Sequence, residues 1–217
     1  MNKIKDEKLY GIQGGYLIVF EGIDGSGKST QIQLLAERLN KENFKTVIFH
    51  EPTKGKWGKK IRELVKHSRD CHDELRWFIE DRKEDIKLNI KPAMKNNMIV
   101  ILHRYYYSNI VYQGTMGEID PGYIMELNYF APRPNLCFIL DCDPNDAYNR
   151  IENSRKGKTD YFEKIDNLHR VREMYLEFFK DYSEIKIIPQ LKNPENIHEQ
   201  IWDIVREEIG KLRKIEL

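Results

Sequence analysis

The stretch Gly22-Ile23-Asp24-Gly25-Ser26-Gly27-Lys28-Ser29 decides the reading of this chain. It follows an apolar run, residues 16–20 (YLIVF), and precedes an amphipathic segment, residues 30–43, whose apolar positions are Ile32, Leu34, Leu35 and Leu39. A Gly-x-x-x-x-Gly-Lys-Ser sequence between a strand and a helix makes a phosphate-binding loop. The glycines let successive N–H groups turn toward one concavity, and the helix behind adds its positive N-terminal end.

Working outward, short apolar runs alternate with longer amphipathic stretches. Strands are expected over 16–20, 46–49, 98–102, 136–140 and 185–188. Most are continuous apolar runs without in–out alternation, as strands buried on both faces of a parallel sheet are. The last is interrupted by Lys186, which suits an edge. Helices are expected over 30–43, 73–94, 121–130, 143–153, 161–182 and 194–211. Asp143-Pro144 reads as an N-cap followed by proline at the first helical position. Strand alternating with helix predicts an α/β fold, a doubly wound parallel sheet of about five strands. Ligands of such sheets bind beyond the carboxyl ends of the strands.

Composition narrows the class. The 217 residues are 40% hydrophobic and 33% charged, with a net charge of +1. That predicts one domain over 14–217 behind a flexible tail over 1–13, with a lid at about 150–163. Balanced charge gives no footprint for nucleic acid. No apolar run approaches the roughly 18 residues of a membrane span, and the N-terminus shows no export signal. Cys71, Cys137 and Cys142 lack the pairing of a disulfide framework or a zinc site, and read as reduced thiols of a cytoplasmic protein.

Within the loop, Lys28 can reach the β- and γ-phosphates of a nucleoside triphosphate, read as ATP, and the Ser29 hydroxyl can serve Mg²⁺. Gly22, Ile23, Asp24, Gly25, Ser26, Gly27, Lys28, Ser29 and Thr30 are the expected donor-binding residues.

The longer stretch from Phe20 to Gln31 resembles the opening of thymidylate kinases, and the resemblance runs from about Tyr16 to about Arg206. Its segments recur in order: His50-Glu51-Pro52-Thr53, Arg76-Trp77-Phe78-Ile79-Glu80-Asp81-Arg82, Arg104-Tyr105 through Tyr112-Gln113-Gly114, and Asp160-Tyr161-Phe162-Glu163. The resemblance implies a P-loop fold of the nucleoside monophosphate kinase type. It implies transfer of a phosphoryl group from ATP, with Mg²⁺, to dTMP, and a homodimer formed through helices beside the sheet. Apolar faces on 56–65 or 73–94 are the candidate dimer surfaces.

By the same resemblance, Phe78 stacks on the thymine, Arg82 contacts the base carbonyl or the nearby phosphate, and Arg104 grips the acceptor phosphate. Asn109 and Gln113 lie near the base edge, and Tyr112 crowds the 2′ position of the sugar. Asp24 serves the 3′-hydroxyl, and Glu51 completes the acceptor set. The lid supplies a cation to the transferring phosphoryl group: Arg155 first and Arg150 second, since position 25 is glycine.

The chain departs from the pattern at His50, where the family has arginine, and at His103, where it has aspartate. A mostly neutral imidazole does not supply that negative charge. Three readings stay open at this point. Glu21, Asp24 or Glu163 covers the charge in a slow enzyme; activity is impaired; or the acceptor differs from dTMP. A different nucleotide or nucleoside kinase, and a nucleotide-binding module without turnover, are the competing functions. A GTP-driven switch is disfavoured by the lack of an Asn-Lys-x-Asp sequence.

Overall fold

A computed structural model describes residues 11–67, 70–116, 119–155 and 163–213; for 64–67, 116, 155 and 212–213 only the backbone is described. Five strands form one parallel sheet: β1 (Tyr16–Glu21), β2 (Thr46–His50), β3 (Ile99–His103), β4 (Leu136–Asp141) and β5 (Ile185–Pro189). Their spatial order is β2-β3-β1-β4-β5. β1 is thus central, in register with β3 (Val19 opposite Leu102) and with β4 (Val19 opposite Cys137). The chain leaves β1 toward one edge and later crosses to the other, so a crevice opens beyond the end of β1. β5 takes the edge that Lys186 suggested.

Alternate strand residues feed two cores. Leu17, Val19, Val100, Leu102, Cys137 and Ile139 face one side. Ile18, Phe20, Ile99, Ile101, Phe138 and Leu140 face the other. The second face is covered by α1 (Lys28–Lys41), through Ile32, Leu35 and Leu39, and by α9 (Pro194–Arg213), through Ile201, Trp202 and Val205. The first face is covered by α3 (Cys71–Asp85), α5 (Tyr106–Met116) and α8 (Ile165–Phe178), through Leu75, Ile79, Ile110, Val111, Leu168 and Tyr175. At about 25 cal/mol per Å² of apolar surface removed from water, such double-faced burial is the main stabilising term.

The remaining helices among the described residues are α2 (Lys56–His67), α4 (Lys91–Lys95), α6 (Pro121–Leu127) and α7 (Pro144–Arg155). Asp143 caps α7 as expected, its carboxylate accepting from the Asn145 N–H at 2.8 Å. Among the described residues no helix is long and apolar enough to cross a membrane.

Several expectations are corrected. The helix expected over 73–94 is interrupted by a π-helical turn, Ile86–Ile90, between α3 and α4. Its supposed outer apolar face points inward: Leu75, Ile79, Ile86 and Ile90 all join the core, and only Leu88 is exposed. Two helices, α2 and α5, were absent from the expected set. The stretch expected as tail is anchored before residue 13, for Ile12 is buried and its N–H bonds the Asn97 carbonyl at 3.0 Å.

Candidate active site

The loop after β1 needs left-handed backbone, and glycine supplies it: φ is 129° at Gly22, 77° at Gly25 and 93° at Gly27. Gly25 has no alternative, since a Cβ there would run into the Ala147 carbonyl of α7. The buried Lys28 ammonium donates to the carbonyls of Gly22 (3.0 Å) and Ile23 (2.7 Å), which holds it over the concavity. Burial, then the nearby Arg104, pushes its pKa down to about 7, against the pull of Asp24 and Glu21. Anionic phosphate placed here would favour the charged form.

Beside this loop lies a cleft of about 830 Å³, lined by Asp24, Gly25, Gly27, Lys28, Ser29 and Thr30 together with His103, Arg150, Ile151, Ser154 and Glu163. Arg150 stands over the loop from α7 and donates to the Gly25 carbonyl at 3.1 Å. Gly22 and Ser26 support the loop from within; both are buried. Arg155 ends α7; its side chain lies outside the described residues, as do 156–162 of the expected lid.

A second cleft, about 520 Å³, adjoins the first and shares Asp24 with it. Every residue expected to bind the acceptor lines it: Asp24, Glu51, Phe78, Arg82, Arg104, Asn109, Tyr112 and Gln113. Arg104, at φ 66°, turns off the end of β3, so its guanidinium reaches Asp24 Oδ1 (2.7 Å), Ser108 Oγ (2.9 Å) and the Tyr112 hydroxyl (3.2 Å). It also lies over the Tyr112 ring, 5.1 Å from its centroid. Arg82 is fully buried. Its Nε and one terminal nitrogen donate to Glu51 Oε2 (2.8 and 2.5 Å), and the other donates to Asn128 Oδ1 (2.6 Å). A guanidinium has five N–H donors, so some remain for a ligand. Burial lifts the Glu51 pKa to about 8 against the pull of Arg82. Asn109 Nδ2 donates to Gln113 Oε1 (3.0 Å), and Gln113 Nε2 to Glu74 Oε2 (3.2 Å). Asn109 Oδ1 and Glu51 Oε1 are buried without a partner among the described residues. Unpartnered buried polar atoms bordering a cleft suit a polar ligand.

The match to known proteins fits this geometry. A family model described as thymidylate kinase matches residues 20–201. The chain belongs to the thymidylate kinase family. It is 40% identical over 205 residues to a probable thymidylate kinase of Thermococcus onnurineus, covering 89% of this chain and 98% of that one. It is 38% identical to a probable thymidylate kinase of Thermococcus gammatolerans (90% and 98% covered), and 37% identical to the thymidylate kinase of Desulfotalea psychrophila (86% and 92% covered).

As a thymidylate kinase family member, the chain also shows site residues that its sequence did not reveal. Asn128 orients Arg82 from the end of α6. Asp81 accepts from the backbone N–H and hydroxyl of Thr53, both at 2.6 Å, and so ties the Glu51-Pro52 loop to α3. Ser108 links Arg104 to Glu21. Glu21, at the end of β1, lies behind Arg104, with its Oε2 3.9 Å from the guanidinium. It is fully buried and accepts from the Tyr105 and Ser108 N–H groups and the Ser108 and Tyr175 hydroxyls, at 2.6–3.2 Å. Its role is to fix the start of α5.

Proposed function

We propose that this chain transfers the γ-phosphoryl group of ATP, bound with Mg²⁺, to the phosphate of dTMP, giving ADP and dTDP. The observation that carries the reading is the pair of clefts meeting at Asp24. One has the amides, lysine and arginine that suit a triphosphate; the other has the aromatic, amide and guanidinium groups that suit a pyrimidine monophosphate.

In this reading the loop amides, Lys28 and Thr30 hold the donor phosphates, and Arg104 holds the acceptor phosphate against them. An acceptor oxygen forms a bond to the γ-phosphorus while the bond from that phosphorus to the β–γ bridging oxygen breaks. No strong general base is needed, because the attacking oxygen is already anionic. The protein's share is alignment and neutralisation of charge on the transferring group. Lys28 and Arg150 provide positive charge on the donor side, and Arg155 is proposed to join them from the end of α7. Asp24, held by Arg104, borders both nucleotides and suits the sugar hydroxyl of the acceptor. Phe78, partly exposed beside Arg82 on one face of α3, offers the ring on which a base stacks. Asn109 and Gln113 present amides toward a base edge. Tyr112, packed under Arg104, narrows the space beside the sugar, which favours deoxyribose.

A divalent cation fits the donor cleft. The Ser29 hydroxyl is exposed there, and Asp24 and the buried Glu163 line the same cleft. These are oxygen donors of the kind a hard cation takes alongside phosphate and water. When bound, Mg²⁺ would neutralise phosphate charge.

The same proposal includes a homodimer, supported by exposed Leu88, Tyr123 and Tyr129, and a cytoplasmic setting, supported by the free thiols Cys71, Cys137 and Cys142. Neither nucleic acid nor membrane is a partner in it, in keeping with the balanced charge. The test is a coupled ADP-release assay over a panel of nucleoside monophosphates. Preference for dTMP is expected; every monophosphate remaining inert while ATP binds would remove the kinase reading.

A further inference from the structure

His103 ends β3 with its ring at the rim of the donor cleft, and its Nε2 lies 3.3 Å from the Ser29 hydroxyl oxygen. Two donors at right angles on one cation, with bonds of about 2.1–2.2 Å, stand about 3.0–3.1 Å apart. The two are hydrogen-bonded in the structure, and their separation is within a few tenths of an ångström of that spacing, so a cation can take the place of the bridging proton. His50, opposite His103 in the parallel register, packs its ring against it at 5.2 Å between centroids and so limits rotation of the imidazole.

The geometry points to His103 as a nitrogen ligand, beside Ser29, of the divalent cation that accompanies the donor nucleotide, so that this chain favours Co²⁺ over Mg²⁺ more than an all-oxygen site would. The inference rests on the donor-site reading given above. The chemistry follows from ligand type. Imidazole nitrogen binds borderline metals such as Co²⁺ well, whereas Mg²⁺ prefers carboxylate, phosphate and water oxygens. A ligating histidine must be neutral, with its lone pair free. The tautomer protonated at Nδ1 presents the Nε2 lone pair toward Ser29.

The test uses the full chain loaded with Co²⁺ and a non-hydrolysable ATP analogue, with histidine labelled by ¹⁵N. Proton NMR then reads paramagnetically shifted histidine ring signals. One far-shifted set is expected, lost in His103→Asn and kept in His50→Asn. In His103→Asp the ratio of Co²⁺ to Mg²⁺ affinity of the nucleotide-loaded protein is expected to fall at least about tenfold. A bound cobalt–nucleotide complex without shifted histidine signals, or with signals that survive His103→Asn, would overturn the assignment while leaving the donor site standing. Failure of the analogue to bind with either metal would remove the donor-site reading, and the assignment with it.

Discussion

Among the described residues, Lys28, Arg82 and Arg104 are each held by specific neighbours, and substitutions should report those neighbours. Lys28 aims its ammonium by bonding two loop carbonyls. Lys28→Ala removes one preorganised donor from the transferring group, and a fall in kcat of at least about a hundredfold is expected. Two buried hydrogen bonds to loop carbonyls are lost as well, so the urea midpoint is read beside turnover to show that the fold persists; equal turnover would contradict the donor assignment. Asn128 holds Arg82 rather than the nucleotide. Asn128→Ala should therefore raise KM for dTMP by about tenfold, the worth of one hydrogen bond to a charged group, with little change in kcat. Asp85 gives a pH signature. Burial raises its pKa to about 6 from an ordinary 3.8, although Asn89 donates to it. The folded state then binds more protons than the unfolded state between about pH 4 and 6, so the stability contribution of Asp85 is lost as pH rises through that window. Asp85→Asn should be more stable than the wild type at pH 7, by up to about 3 kcal/mol, and the gap should close near pH 4. Denaturant titrations at the two pH values check this; a gap independent of pH would show that Asp85 is charged throughout.

At the scale of elements, the loop after β1 and α7 are built against one another. Gly25 sits under the Ala147 carbonyl, and Arg150 returns from α7 to the Gly25 carbonyl. Gly25→Ala should push α7 off the loop and strain a left-handed position. ATP affinity is expected to fall more than tenfold, with dTMP affinity retained; separate titrations of the two nucleotides distinguish this from general unfolding. The elements also show what the sequence could and could not disclose. The inner strands β1, β3 and β4 were legible because burial on both faces demands apolar runs, β2 and β5 because short apolar β-branched runs remain at the edges, and the observed bounds differ by a residue or so. α5 was not, because Tyr105-Tyr106-Tyr107 and the following Ile110-Val111 give no clean helical period. The start of α5 is fixed instead by buried Glu21, across the sheet. The π-helical turn likewise left no mark, since Ile86 and Ile90 are apolar at a spacing that an ordinary helix also uses.

At the scale of the whole molecule, the fold brings together residues far apart in the chain. Glu51, Arg82 and Asn128 meet although 31 and 46 residues separate the pairs. The acceptor residues were legible only through family resemblance; Asn128 and Asp81 act through tertiary contact alone and carry no local pattern. A homodimer is the expected assembly, and light scattering should give twice the monomer mass; a monomer at micromolar concentration would oppose it. Two nucleotides meeting at Asp24 should exchange one phosphoryl group, and incubating the protein with dTMP and with ATP labelled at the γ-phosphorus, alongside Lys28→Ala, reads that exchange. The label should appear in the β-phosphate of dTDP with the wild type and be nearly absent with the variant. Label found only in inorganic phosphate, or left in ATP while both nucleotides are bound, would contradict the account.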